Sequence, residues 1–128
     1  MKTIKDYPPN YERLNKVFSL QPNVIFTYGD TIYNPGGGEI PNHLEQHEAI
    51  HFKQQGDNID EWWDKYIKDK DFRLSQEVEA YRRQYRVAKN TMGRGELFNL
   101  LKTISKDLSG DVYGNIIEFQ EAMNLINN

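Results

Sequence analysis

His47 and His51 flank Glu48 in the run His47-Glu48-Ala49-Ile50-His51. Residues at this spacing lie about one turn apart on one face of a helix, so both imidazoles can reach a single metal ion. A carboxylate between them is placed to take a proton from a metal-activated water. The spacing points to a metal-dependent hydrolase with His47 and His51 as ligands and Glu48 as general base.

That chemistry requires a helix, and the flanking residues predict one. Asn42, after Pro41, is a good N-cap. His43 to Gln55 contains no Gly, no Pro and a single β-branched residue, and Gly56 ends the run. Leu44, Ile50 and the Ala49–Phe52 region are expected to supply its buried stripe.

A catalytic zinc needs a third protein ligand and one open position. The chain has no cysteine and one further histidine, His43. His43, His47 and His51 would span about 12 Å along a straight helix, at 1.5 Å rise per residue. Bonds of about 2 Å cannot cover that span, so His43 is expected near the helix start and outside the metal set. The better source is the segment from Phe72 to Tyr85. Leu74, Val78, Tyr81, Tyr85 and Ala88 recur there at helical spacing and define an inward face. Glu77 falls at the edge of that stripe and Glu79 on the solvent side. A carboxylate aimed at a core is costly without a partner, and a zinc ion is one. Glu77 is the expected ligand and Glu79 the alternative. A salt bridge between Glu77 and Arg73 is the competing use of this side chain.

The two motifs together, H-E-A-I-H and then E-V-E-A-Y on a second helix, resemble the gluzincin zinc metallopeptidases. The closest likeness is to the small minigluzincins and to phage- and prophage-borne metallopeptidases. It covers residues 28–85, with a weaker echo in 108–117. The resemblance implies that His47, His51 and Glu77 hold zinc and that Glu48 is the catalytic base in hydrolysis of a peptide or protein substrate. It also implies a zincin-like helical domain, α+β but mostly α, with a small β-hairpin or sheet beside the H-E-x-x-H helix. In these enzymes an edge strand near the metal helix pairs with extended substrate, a role open here to Thr31 to Tyr33, the alternative being a plain structural hairpin that covers the core. The family pattern often reads E-x-x-A-D, with the aspartate supporting the site; this chain has Tyr81 at that position, which leaves that support unassigned. Tyr113 and Tyr81 are candidates for a donor that polarises the substrate carbonyl.

At 128 residues, the chain is expected to form one domain, 1–128, with 38% apolar and 12% aromatic residues. A net charge of −3 argues against a nucleic-acid binder. Arg82, Arg83 and Arg86 read as the solvated back of the second helix. No stretch has the roughly 20 apolar residues needed to span a bilayer. Residues 1–9 lack the apolar core of a signal peptide, so a cytoplasmic location is expected.

The remaining elements are predicted from pattern. Residues 11–18 form a short helix candidate. Residues 24–28 and 31–33 read as a hairpin about Gly29-Asp30. Gly36-Gly37-Gly38 lies in a loop that lacks the Lys-Ser/Thr of a nucleotide site. Ile59, Trp62, Trp63, Tyr66 and Ile67 form an apolar helical stripe capped by Asp57 or Asn58, read as packing. Leu97, Leu100, Leu101, Ile104 and Leu108 mark another helix, and Ile116, Phe119, Met123 and Ile126 a last one. Two rival readings stay open on the residues alone. One is a catalytically inactive zinc-binding structural or phage-associated interaction protein. The other is a metal-free helical module with His47 and His51 on its surface.

Overall fold

The computed structural model describes residues 1–128 and is α+β, mostly α, with six helices and a three-stranded sheet. Strand β1 (Lys2–Ile4) is followed by α1 (Tyr11–Val17), β2 (Phe26–Tyr28), β3 (Thr31–Tyr33), α2 (Asn42–Gln55), α3 (Ile59–Lys68), α4 (Lys70–Ala88), α5 (Arg94–Leu108) and α6 (Phe119–Asn127). A 3-10 turn over Asp111–Tyr113 links the last two helices.

The hairpin forms about Gly29-Asp30, with Phe26, Thr27 and Tyr28 opposite Tyr33, Ile32 and Thr31. Gly29 adopts φ +61°, and a Cβ there would come within 2.9 Å of Ile59 Cδ1, so both the turn and the packing demand glycine. The sequence pattern missed β1. It pairs in parallel with β3 and makes the sheet order β1-β3-β2. Its three residues are exposed and show no apolar alternation.

Helix α2 starts one residue earlier than expected. Asn42 is its first residue, Pro41 occupies the cap position, and no side chain caps the end. Gly56 terminates it at φ +52°. Helix α3 likewise lacks a side-chain cap bond at Asn58, whereas Asp69 caps α4 by accepting from the backbone N–H of Asp71 and Phe72 at 3.0 and 3.1 Å.

Two apolar clusters sit on either side of the α2–α4 pair. One joins Leu14, Phe18, Phe26, Trp62, Trp63 and Tyr66 from the N-terminal half. The other joins Tyr81, Tyr85, Leu101, Ile104, Leu108, Ala122 and Ile126 from α4, α5 and α6. The seam between α2 and α4 is polar. The buried residues of α2 are His47, Glu48, His51 and Gln55, while Phe52, expected in its buried stripe, is 40% exposed. Helix α4 buries Arg73, Glu77 and Gln84 along with its apolar residues. Glu77, expected beside Leu74 and Tyr81 and aimed at the core, is buried at 3% exposure. Such a seam is unfavourable unless each charge and dipole finds a partner within it.

Candidate metal centre

Helices α2 and α4 aim three ligand atoms at one point. His47 Nε2 and His51 Nε2 are 3.1 Å apart, and Glu77 Oε1 lies 3.3 Å from each. A regular tetrahedron of zinc bonds about 2.05 Å long has an edge of about 3.3 Å, so the three atoms match one face of that figure. All three side chains are buried, and Glu77 Oε1 accepts no well-aligned hydrogen bond. Three ligand-type atoms converging at a buried point leave a demand for positive charge that a cation could meet. The donor set, two imidazoles and one carboxylate, suits zinc.

A proton partly meets that demand. Burial alone would lower the pKa of His51, but the charge and hydrogen bonding of Glu77, with Glu48 and Gln54, outweigh it and hold the group up at about 9. Burial opposes ionisation of Glu77, yet the two histidines keep its carboxyl well below the usual range. Its other oxygen, Oε2, accepts a hydrogen bond from Tyr66 Oη at 2.6 Å. Burial and the Glu77 charge raise the Tyr66 pKa, so the phenol stays a donor.

Glu48 lies beside this group. Its Oε1 accepts from Thr27 Oγ1 on β2 at 2.9 Å, and its Oε2 is 3.6 Å from His47 Nε2. One carboxylate oxygen is thereby anchored while the other faces the ligand triangle. The ring of Tyr81 packs edge-on against His47 with centroids 4.4 Å apart. Its hydroxyl pairs with that of Tyr113 at 2.7 Å, leaving His47 Nδ1 buried without a partner. Burial raises the pKa of both phenols.

The other sequence candidates separate cleanly. His43 stands outside the triangle, its Nδ1 accepting from Gln84 Nε2 at 2.9 Å. Glu79 is exposed and bonds Gln54, so it is no part of the ligand group. Arg73 does not pair with Glu77; its guanidinium donates to the carbonyls of Tyr66, Ile67 and Tyr113. Arg82 is more than a solvated charge, since its Nε donates to Leu125 O at 2.7 Å and ties α4 to α6. His47 and His51 are 3% and 6% exposed, which removes the reading of both as surface residues.

The expected substrate strand needs correction. Thr31 to Tyr33 is the central strand, paired on both sides, and has no free edge to offer. The outer strand beside α2 is β2, and the Gln55 side chain closes part of its rim by donating to Thr27 O and accepting from Gly29 N, both at 2.8 Å. Above Glu48 an open cleft of about 500 Å³ runs between residues 19–25 and 106–113, with Tyr81 and Tyr113 in its wall. A smaller, mostly apolar pocket of about 70 Å³ is lined by Phe26, Trp63 and the ligand triangle.

Thr27 and Tyr66 were not legible as site residues. Tyr66 carried a weak signal, because a tyrosine in a core stripe must find a partner for its hydroxyl. Thr27 carried none, since its role depends on how the hairpin docks on α2. No protein family model, no curated protein and no solved structure matches this chain.

Proposed function

We propose that the chain is a zinc-dependent peptidase of gluzincin type, with His47, His51 and Glu77 as metal ligands and Glu48 as general base. The observation that carries this reading is the ligand triangle with edges of 3.1, 3.3 and 3.3 Å and the Glu48 carboxylate at its side. When bound, zinc would supply a Lewis acid that polarises a carbonyl and brings the pKa of water to about 7.

The chain's own groups do the rest. Glu48 Oε2, the oxygen not engaged by Thr27, takes the proton of the attacking water and returns it to the leaving amide nitrogen. Thr27 restricts that carboxylate to one rotamer. Tyr81 and Tyr113 share one hydroxyl hydrogen in their mutual bond, so the second is free to be donated to the substrate carbonyl. The peptide lies in the open cleft between residues 19–25 and 106–113.

The test compares zinc content and turnover on a peptide library for the wild type and Glu48→Gln. The expected variant keeps its metal and loses about 100-fold or more in rate. Full activity in a zinc-loaded Glu48→Gln protein would rule out the assigned base. The unpartnered His47 Nδ1 favours one second reading, a zinc-holding protein without hydrolysis. It predicts bound metal and no Glu48-dependent cleavage of any peptide.

A further inference from the structure

His51 has a partner that His47 lacks. Its Nδ1 lies 2.8 Å from Gln54 Oε1, one helical turn along α2. An amide can be turned either way, but here the surroundings decide. Gln54 Nε2 sits 3.0 Å from Gln76 O and 2.7 Å from Glu79 Oε1, and both of those atoms only accept. The amide nitrogen must face them, so its oxygen must face His51. An oxygen at 2.8 Å from Nδ1 requires that nitrogen to carry the hydrogen. In the neutral ring, Nε2 is then left with its lone pair pointing at Glu77 Oε1 and His47 Nε2.

We infer that Gln54 and Glu79 form a positioning relay that sets the tautomer and ring orientation of His51 for the metal. This inference rests on the zinc-site reading and extends it to two residues outside the ligand set. Glu79 acts from the surface: its carboxylate fixes the amide, the amide fixes the imidazole, and the imidazole presents Nε2. The polarity of the chain also makes His51 the more basic ligand, because a hydrogen bond from Nδ1 toward an acceptor backed by a carboxylate pushes electron density to Nε2. The relay links α2 to the same helix that carries Glu77, so the two ligands are held in register through a second set of bonds. His47 Nδ1 has no such partner; the ring of Tyr81 packs edge-on against this imidazole instead.

The experiment measures zinc affinity of the full chain by competition with a chromophoric chelator, with folding checked by circular dichroism. Gln54→Leu keeps the volume and removes the acceptor; its affinity is expected to fall about 10- to 100-fold. Glu79→Ala removes one of the two acceptors that fix the amide and is expected to lower affinity by less than Gln54→Leu, because Gln76 O still holds the amide nitrogen. Nitrogen-15 spectra of the zinc-loaded wild type should show His51 protonated at Nδ1. A folded Gln54→Leu protein that binds zinc as tightly as the wild type would overturn the relay and leave the metal site standing. Unchanged affinity in a Glu79→Ala protein, or a His51 protonated at Nε2, would overturn it too. A wild type that binds no zinc would remove both the relay and the reading beneath it.

Discussion

Tyr66 has the least replaceable hydroxyl among the supports of the ligand group, because it is the hydrogen-bond donor to Glu77 Oε2. Tyr66→Phe would strand a buried, ionised oxygen, a loss of about 1–3 kcal/mol in the stability of the metal-free chain. Zinc affinity should fall about 10- to 100-fold with it. Chemical denaturation with and without zinc measures both. The proton at the centre gives a second prediction. His51 titrates at about 9 in the folded chain against an ordinary 6.5, so its stabilising contribution is complete below about pH 6.5 and disappears as pH rises through 9. Glu77 is shifted the other way, so its contribution holds above the ordinary 4.5 and is lost as pH falls toward its depressed value. The metal-free chain should therefore be most stable between about pH 4.5 and 6.5. Zinc must displace the His51 proton, so its apparent affinity should climb about tenfold per unit up to about pH 9. A pH series of the chelator competition checks this, and a flat profile would contradict it.

Arg73 governs how the helices meet. Its guanidinium donates to the carbonyls of Tyr66 and Ile67 at the end of α3 and to Tyr113 O beyond α5, while packing over the rings of Phe18 and Tyr66. One buried cation thus holds both the hydroxyl that supports Glu77 and the tyrosine in the cleft wall. Arg73→Met should cost about 2–4 kcal/mol by leaving these carbonyls without their donor. Hydrogen exchange should quicken over residues 110–117, and unchanged exchange there would contradict the role. The elements themselves were largely readable. Periodicity found α3, α5 and α6 because their apolar stripes are strong, and α4 from a weaker stripe interrupted by buried polar residues, while turn chemistry found the hairpin. The stripe of α2 was misjudged because its buried face is polar, so apolar periodicity pointed to the wrong side. β1 left no trace, since three exposed residues pair through backbone alone.

Two apolar clusters flank a polar seam, and the seam is where the ligand triangle lies. His47 and His51 were legible as a candidate metal pair because their spacing within one helix brings both imidazoles to one point. Glu77 was legible from its place on a second amphipathic helix. The supports on Thr27, Tyr66 and Gln54 were not, because they depend on how three separate elements dock. No helix is long and apolar enough to cross a membrane. The account stands or falls on whether the seam holds a metal, and elemental analysis of the purified full chain tests this most directly. The prediction is about one zinc per chain, lost in His47→Ala. A chain that takes up no zinc even when it is supplied would contradict the account and leave the buried triangle to a proton alone.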